Sequence, residues 1–475
     1  MKRIIAILLT ISMLLACTAL AETNPGGTPP DFPGEPPEGG PGGTPPDGMP
    51  GKPPAGAPGE GGPGGMPGTR SSSFTYAAAT EITGTDDLTD PVCTSETADE
   101  SALMVATSEA VRITNPTVLK TGDSDGGDNC NFYGLNAAVL VKDGSFTTIT
   151  GGTIESGADG ANGVFCYGGN GGSNGAAGDG TTVEISDTVI TTTGDGSGGI
   201  MTTGGGVTRA SNLTVTTSGR SSAAIRTDRG GGTVTVEGGT YTTSGLGSPA
   251  IYSTADITVR GATLVSELSE GVCIEGKNSI TLVDCDLTAN NTATNGNATF
   301  LDTIMIYQSM SGDADSGTSA FSMTGGSLTS RSGHMFHVTN THACITLSGV
   351  TLVNEGSDVL LSVCDDGWSG ADNIAELTAD AQTLQGTILV GDNAAMTLNL
   401  TNGSAFTGTF SGEIVSAKGT TVSTELGSVS VTLDSTSTWT LTADTEIAAF
   451  DGEAANVIGN GFTLYVNGTA LAGTR

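Results

Sequence analysis

Side chains of types that bind sugars recur along the middle of the chain. They lie ten to fifteen residues after a repeating apolar position, or further after it where the sequence contains an insertion. The candidate binding residues are Arg226, Asp228, Arg229, Tyr252, Glu275, Lys277, Tyr307 and Gln308. Arginine and lysine can pair with the carboxylates of acidic sugars, and carboxylates can bind hydroxyls or Ca²⁺. Tyrosine can stack on a sugar ring. If the chain winds in repeating coils, these side chains form one ligand-binding ladder.

Two other interpretations of the ladder remain open. Six of the sixteen Lys and Arg residues fall within 209–277, which predicts a cationic patch; they are Arg209, Arg220, Arg226, Arg229, Arg260 and Lys277. Ion pairs between stacked coils would explain them without any ligand. Asp228 and Glu275 could alternatively be the carboxylate pair of a glycoside hydrolase, and Arg229 or Lys277 the base of a polysaccharide lyase. No spacing selects among these, so no catalytic residue is assigned and enzyme activity stays open.

Metal binding receives little support from the spacing of candidate ligands. His334 and His337 are expected on opposite sides of a regular strand, with His342 nearby, so no metal site is assigned. The acidic run 123–128 could chelate Ca²⁺, the one candidate cofactor, but it departs from the EF-hand pattern and predicts a solvated turn. Asp365 to Trp368 also predicts a turn.

The elements that would position the ladder are short repeated strands. One apolar column reads Ile154, Ile190, Val215, Tyr241, Leu264, Leu287, Leu328 and Leu352. Five residues earlier a second column reads Ile149, Ile185, Ala210, Val236, Val259, Leu282, Met323 and Leu347. Between them, two residues before the first column, a third column is small or apolar apart from one threonine, and it contains Cys285. Most steps along these columns are 23–26 residues, which suits three strands and three turns.

This pattern predicts an all-β chain folded as a right-handed parallel β-helix, a solenoid with 23–26-residue coils. The two long steps, of 36 and 41 residues, contain expected insertions at 168–180 and about 290–318. The expected divisions are an N-terminal cap at 74–133, the β-helix at 134–370, and further coils with a cap at 371–475. The seven cysteines beyond Cys17 are odd in number and irregularly spaced, which argues against a disulfide framework.

The N-terminal segment indicates export. Residues 1–21 combine Lys2 and Arg3 with an apolar run and small residues before Glu22, as in a signal peptide. Leu14 to Cys17 also resembles a lipobox, so Cys17 is a candidate lipid anchor and the only predicted membrane attachment. Residues 22–73 hold most of the eighteen prolines and predict a disordered Pro/Gly-rich tether. The formal charge of −34 argues against nucleic-acid partners.

Several stretches resemble a group of uncharacterised secreted β-helix proteins of Gram-positive gut bacteria, described as pectin-lyase-like or adhesin-like. They include NFYGLNAAVL at 131–140, SPAIYSTADI at 248–257, EGKNSITL at 275–282 and GNGFTLYVNG at 459–468. The resemblance covers about residues 100–470 and implies the fold and an extracellular or cell-surface location. Pectin-degrading members of the wider fold carry paired Asp and Gly-His-Gly motifs. Asp365-Asp366 and Gly333-His334-Met335 match these poorly and out of order. The leading hypothesis is therefore an adhesin-like protein that binds extracellular or cell-wall polysaccharide along the ladder without catalysis; a structural surface rod is the third alternative.

Overall fold

The chain winds through three long parallel sheets in a computed structural model that describes residues 74–368 and 370–474. Within each sheet, a strand pairs with the strand about one coil earlier and the strand about one coil later. This arrangement confirms the predicted parallel β-helix. The expected signal peptide, the tether and Cys17 lie outside the described residues. Across those residues, no helix has the length and apolar character needed to cross a membrane.

The strands are named in chain order and grouped by sheet. Sheet A contains β1 (Ala77–Ile82), β4 (Glu100–Ala106), β7 (Val139–Lys142), β10 (Val164–Tyr167), β13 (Ile200–Thr203), β16 (Ile225–Thr227), β19 (Ile251–Ser253), β22 (Val272–Glu275), β25 (Asp302–Tyr307), β28 (His334–Thr339), β31 (Val359–Val363), β33 (Thr383–Val390), β35 (Ala405–Ser411), β39 (Thr438–Leu441) and β42 (Val457–Ile458). Sheet B contains β2 (Asp86–Thr89), β5 (Ala110–Thr114), β8 (Phe146–Thr150), β11 (Thr182–Ser186), β14 (Gly206–Ser211), β17 (Gly232–Glu237), β20 (Asp256–Arg260), β23 (Ser279–Val283), β26 (Thr318–Thr324), β29 (His342–Ser348), β32 (Asn373–Asp380), β34 (Ala394–Thr401), β38 (Ser428–Leu433) and β41 (Ala449–Asp451). Sheet C contains β3 (Val92–Ser95), β6 (Thr117–Lys120), β9 (Thr153–Ser156), β12 (Val189–Thr192), β15 (Thr214–Thr217), β18 (Thr240–Thr243), β21 (Thr263–Ser266), β24 (Asp286–Ala289), β27 (Ser327–Ser330) and β30 (Thr351–Asn354).

The remaining elements are short and lie outside the three sheets. They are the helix α1 (Asp128–Tyr133), a 3-10 turn (Ala454–Asn456), the antiparallel pair β36 (Ile414–Val415) and β37 (Thr421–Ser423), and a terminal sheet of β40 (Thr445–Ile447), β43 (Leu464–Val466) and β44 (Thr469–Ala470).

The apolar columns predicted from the sequence are the inward rows of two sheets. Ile154 pairs in register with Ile190, and the row continues through sheet C to Leu352. The column five residues earlier runs through sheet B from Ile149 to Leu347. Because the side chains of a strand alternate between two faces, each row fills the centre of the coil and stacks on its neighbours. Cys285, at the corner between the rows, is fully buried.

A sharp corner joins sheet B to sheet C in each coil, three residues before the sheet C row. The corner residue has a positive φ in successive coils, as at Asp187 (53°), Asn212 (51°), Gly238 (67°) and Gly261 (60°). Only Gly, Asn and Asp adopt this left-handed conformation at low cost. The corner therefore accounts for part of the high glycine content and fixes the offset between the two rows.

Two sequence-based divisions need correction. Residues 77–120, expected within a cap, form β1 to β6, which are the first strands of all three sheets. The single insertion expected at about 290–318 is two separate loops, because β25 lies between them and belongs to sheet A. The sequence pattern did not predict β25, because its outward side chains are buried as well as its inward ones. Apolar and polar residues therefore do not alternate along this strand.

Sheet C stops at β30, whereas sheets A and B continue through the residues predicted to form C-terminal coils. The side-chain amide of Gln382 stands where the next strand would pair: it accepts a hydrogen bond from the Val350 N–H (2.7 Å) and donates one to the Val350 carbonyl (2.8 Å). A cavity of about 620 Å³ lies beside it, lined in part by Met335, Leu352 and Leu360. Among the described residues, the coils after β30 are therefore built from sheets A and B, without a strand in sheet C.

Candidate functional site

The outward side chains of sheet A, here called the sheet A outer face, carry four of the eight predicted ladder residues, and the other four follow within two residues of the end of a sheet A strand. Arg226 pairs in register with Tyr252, Tyr252 with Cys273, and Glu275 with Tyr307. The prediction that these residues share one face is therefore consistent with the register. Tyr252 lies beside Cys273, and Glu275 is the next outward residue after Cys273 on β22. Loops between strands cover this face, and they are the α1 segment, 168–181, 290–301, 308–317 and 364–368.

Arg229 joins three of these covering segments. Its guanidinium donates to Asp313 Oδ1 through Nε (3.0 Å) and Nη2 (2.5 Å). It also lies 4.2 Å from the centre of the Phe132 ring in α1, and its aliphatic part lies against Gly172 of the 168–181 loop. The charge of Arg229 is thus used within the protein, and its position favours a structural role.

Arg226 and Asp228 form a partly buried ion pair beside it. Arg226 Nη2 lies 2.6 Å from Asp228 Oδ2, and Nη1 donates to Asn131 Oδ1 at 3.3 Å. The Arg226 guanidinium also lies 5.6 Å from the centre of the Tyr252 ring. Burial raises the pKa of Asp228 to about 6, although the charge of Arg226 opposes the shift. This pair links β16 to the α1 segment.

Glu275 is the centre of a buried hydroxyl cluster. Its carboxylate accepts hydrogen bonds from Tyr307 (3.1 Å) and Ser311 (3.2 Å), and also from Tyr252 and Ser309. Burial, followed by the charge of Glu275, raises the pKa of both tyrosines well above the usual value. A carboxylate with four hydroxyl donors is well satisfied, so the cluster fastens the 308–317 loop to sheet A.

Two neighbours complete this region. The Tyr307 ring packs on Trp368, with 5.0 Å between ring centres, so the segment predicted as a turn also covers the cluster. Gln308 is 7% exposed, and its amide nitrogen donates to the Ser309 carbonyl at 3.1 Å. Gln308 is therefore a loop-anchoring residue with little surface to offer a ligand.

Lys277 is the ladder residue that faces solvent. It lines an open cleft of about 440 Å³ together with Asn174, Asp256, Asn278 and Asp315. The 168–181 loop forms one wall and the 308–317 loop contributes Asp315 to the other, while Gly230 to Gly232 line the cleft between them. Asn174 holds the first wall in place by accepting a hydrogen bond from the Gly230 N–H at 3.1 Å. Among the residues that the structure describes, no carboxylate forms an ion pair with Lys277.

The expected single cationic patch is divided among sheet B, a turn after β15 and the region beside sheet A. Arg209 and Arg260 lie on sheet B, where each pairs with the acid one coil earlier, at 3.4 Å from Glu184 and 3.5 Å from Glu237. Arg220 lies in the turn after β15 and reaches Asn295 at 3.5 Å. The patch was overpredicted because distance along the sequence does not reveal which sheet a residue occupies.

The candidate carboxylate pair is held away from solvent. Asp228 is 3% exposed and Glu275 is 2% exposed, and both are engaged as described above. A hydrolase needs one carboxyl group to reach the glycosidic oxygen and the other to reach water or the sugar. The arrangement in this structure offers a substrate neither group.

A Ser–His–Asp arrangement, not anticipated from the sequence, lies further along the sheet A outer face. His337 Nδ1 is 2.7 Å from Ser362 Oγ, and His337 Nε2 is 3.3 Å from Asp366 Oδ2. All three side chains are at most 1% exposed, so a substrate cannot approach the serine. The pairing of His337 with Ser362 in adjacent strands is the signal that a correct sheet A register would have supplied.

His334 also reaches Ser362, at 2.8 Å through Nδ1, and burial lowers the pKa of His334 to about 3. The expectation that His334 and His337 point to opposite sides is therefore wrong. Alternation fails at the start of β28, where the consecutive residues Met335 and Phe336 both join the inner core.

The acidic run 123–128 shows no calcium cage in the part of the chain that the structure describes. Asp123 Oδ1 accepts a hydrogen bond from the Asp159 N–H at 3.0 Å, which links adjacent coils. The close group of three metal-ligating side chains that the described residues do contain lies on sheet B.

No protein-family model, curated protein or solved structure matches this chain. The functional argument therefore depends on the cleft and its chemistry.

Proposed function

We propose that this chain is a secreted or surface-attached, adhesin-like protein that binds glycan in the Lys277 cleft without catalysis. The observation that carries the proposal is an exposed ammonium group with no ion-pair partner among the described residues, set in a polar cleft between two anchored loops. The signal peptide predicted from the sequence and the resemblance to secreted adhesin-like proteins support an extracellular site of action.

The cleft has the chemistry needed for an acidic sugar. The Lys277 ammonium can pair with a uronate carboxylate, while the side chains of Asp256, Asn278 and Asp315 offer partners for hydroxyl groups. The glycines between the walls present backbone without side chains that would block a ring. The walls are fixed to the coils: the Lys277 N–H donates to the Asp315 carbonyl at 2.7 Å, and Asn174 holds the opposite wall. A preformed cleft lowers the entropy cost of binding.

The other ladder residues contribute indirectly. Arg229, through Asp313, and Glu275, through Ser309 and Ser311, anchor the 308–317 loop, which supplies Asp315 to the cleft. Their replacement is expected to weaken binding by loosening that wall. This assignment separates one candidate contact residue, Lys277, from the residues that position the cleft.

A glycan array that includes acidic polysaccharides tests the proposal. Lys277→Ala is expected to lower affinity for the bound glycan at least about tenfold, the effect of losing one charge-assisted contact. Arg331→Ala is the matched control. Arg331 is also an exposed cation, but it lies in the turn directly after β27 of sheet C and does not line the cleft. Binding that is equally strong in Lys277→Ala and wild type would refute the site.

The alternatives give different results in the same assays. A lyase or hydrolase would release unsaturated uronates or new reducing ends from the polysaccharides. A purely structural rod would show no saturable binding to any glycan. Either outcome would overturn the proposal of a non-catalytic glycan-binding protein.

A further inference from the structure

Three side chains of different chemical types converge on the outward surface of sheet B, on the strands β29 and β32. His342 and Cys344 are two residues apart on one strand, so they point to the same face. Glu376 stands beside Cys344, its register partner one strand on. Their ligating atoms all lie within 4.8 Å of one another.

The backbone holds this group in place more firmly than a loop would. β29 and β32 pair over seven consecutive residues, from His342 with Ile374 to Ser348 with Asp380. Ala343 and Ile345, which flank Cys344, are buried in the inner core, so Cys344 is directed outward. Side chains set on rigid paired strands keep their spacing without a bound ion.

The ligand types and distances suit zinc. Zn²⁺ bonds to sulfur, imidazole nitrogen and carboxylate oxygen at about 2.0–2.3 Å, which places tetrahedral ligands about 3.3–3.8 Å apart. The ligating atoms now lie within 4.8 Å of one another, and side-chain rotation on metal binding would bring them to that spacing. A thiolate together with an imidazole disfavours Ca²⁺ and Mg²⁺, which prefer oxygen ligands.

An amide from the next strand orients the carboxylate. Asn399 Nδ2 donates to Glu376 Oε1 at 3.1 Å. Hydrogen-bonding partners of this kind orient metal ligands and raise metal affinity. The outer face of sheet B is partly exposed at Cys344 and Glu376, so an ion can reach the group from solvent.

We propose that His342, Cys344 and Glu376 form a zinc site with three protein ligands and one open coordination position. On binding, the Cys344 thiol releases its proton to solvent and the resulting thiolate bonds to the metal, so affinity rises with pH. The open position takes water or a donor atom from a second molecule. This site lies on sheet B and is independent of glycan binding in the Lys277 cleft.

Metal titration of the full chain tests the site directly. Calorimetry measures the affinity and stoichiometry of zinc binding. Cobalt replaces zinc for absorption spectroscopy, because a cobalt–thiolate bond gives a charge-transfer band. One ion is expected to bind per chain. Loss of a residue that only orients a ligand costs about 10–100-fold in metal affinity, so Cys344→Ser, which removes a ligand, is expected to cost more than about 100-fold. Asn399→Ala is expected to fall within the 10–100-fold range.

Glu184→Gln is the control, because it removes an outward carboxylate from the same sheet far from the group. It should keep the cobalt–thiolate band, which Cys344→Ser should lose. Circular dichroism checks that each variant folds, and zinc should protect Cys344 from alkylation in the wild-type chain. Absence of one-to-one binding in folded wild-type protein, or a cobalt–thiolate band that survives in Cys344→Ser, would overturn the proposal.

Discussion

The outer faces of sheets A and B are built by the same winding chain but have different physical characters. On sheet A, outward residues such as Phe165, Glu275 and His337 are at most 2% exposed, because the loops between strands fold over them. On sheet B, inward and outward residues alternate between buried and accessible, as in β26 and β29. Sheet A therefore has a second packed layer outside the coil, whereas sheet B has an open surface.

This difference separates the contacts that hold loops in place from the surface that stays open to solvent. Ion pairs on sheet B join residues in register across one coil step, as with Glu184–Arg209 and Glu237–Arg260. Contacts between the loops that cover sheet A instead join residues far apart in sequence, as with Arg229 and Asp313. The long-range contacts hold the loops that shape the Lys277 cleft, and the open sheet leaves His342, Cys344 and Glu376 accessible.

The largest expected contrast comes from one substitution made on each face. Phe165→Ala removes a fully buried ring from the sheet A outer face, where it packs with Met104, Leu140 and Met201. It is expected to lower the free energy of unfolding by about 3–5 kcal/mol. Phe146→Ala, on the outer face of sheet B where Phe146 is 43% exposed, should cost less than about 1 kcal/mol. Chemical denaturation measures both, and equal losses would break the comparison.

The second expected effect is a pH dependence of stability that originates at Asp228, directly after the sheet A strand β16. Because the folded-state pKa of Asp228, about 6, exceeds its ordinary value of 3.8, the folded protein binds this proton more tightly than the unfolded chain does. Asp228 therefore stabilises the fold most below about pH 3.8, and this contribution is lost as the pH rises through about 6. The free energy of unfolding should fall by about 3 kcal/mol across this interval, which gives a negative slope against pH. Asp228→Asn should remove this slope from a plot of unfolding free energy against pH. Parallel plots for the two proteins would contradict the assignment.

A smaller effect is expected from the hydroxyl cluster. Glu275→Ala leaves the hydroxyls of Tyr252 and Tyr307 without their acceptor and should cost about 2 kcal/mol. It should also make the 308–317 loop more sensitive to limited proteolysis. Glu237→Ala on the open face is the control and should leave that loop as resistant as in wild type. A loop unaffected by Glu275→Ala would show that other contacts hold it.

The smallest effect concerns the exposed ion pairs of sheet B. A double-mutant cycle on Glu237 and Arg260, whose side chains are 56% and 46% exposed, should give a coupling energy of about 0.5 kcal/mol. The coupling should disappear in about 1 M salt, where charges are screened within about 3 Å. Coupling above about 2 kcal/mol would mean that sheet B also depends on its outward contacts.

The predictable parts of the fold are the sheets whose strands bury only their inward face, sheets B and C. The rows from Ile154 and from Ile149 were found because apolar inward residues alternate with polar outward residues at a constant spacing. Sheet A was not found as a row, because residues such as Phe165 and Met305 are apolar on its outward side and loops of unequal length separate its strands.

The candidate site was predictable by residue type but not by partner. The sequence placed Arg226, Tyr252 and Tyr307 on one face, and the structure does so too. It could not show that Arg229 meets Asp313 or that Glu275 meets Ser311, because these partners lie in loops whose path follows no repeat. The difference between a ladder that binds a ligand and one that anchors loops depends on those partners.

The early end of sheet C has a consequence for how such a chain changes length during evolution. Each coil contacts mainly its neighbours, so a duplicated stretch of one coil adds a strand to each sheet and leaves distant coils unchanged. Such duplications fit the three-walled region before Val350. Beyond Gln382, whose amide takes the hydrogen-bonding place of a next strand at Val350, an added coil has only sheets A and B to extend. Length variants of this architecture are therefore expected to gain or lose complete three-strand coils on the N-terminal side of that glutamine.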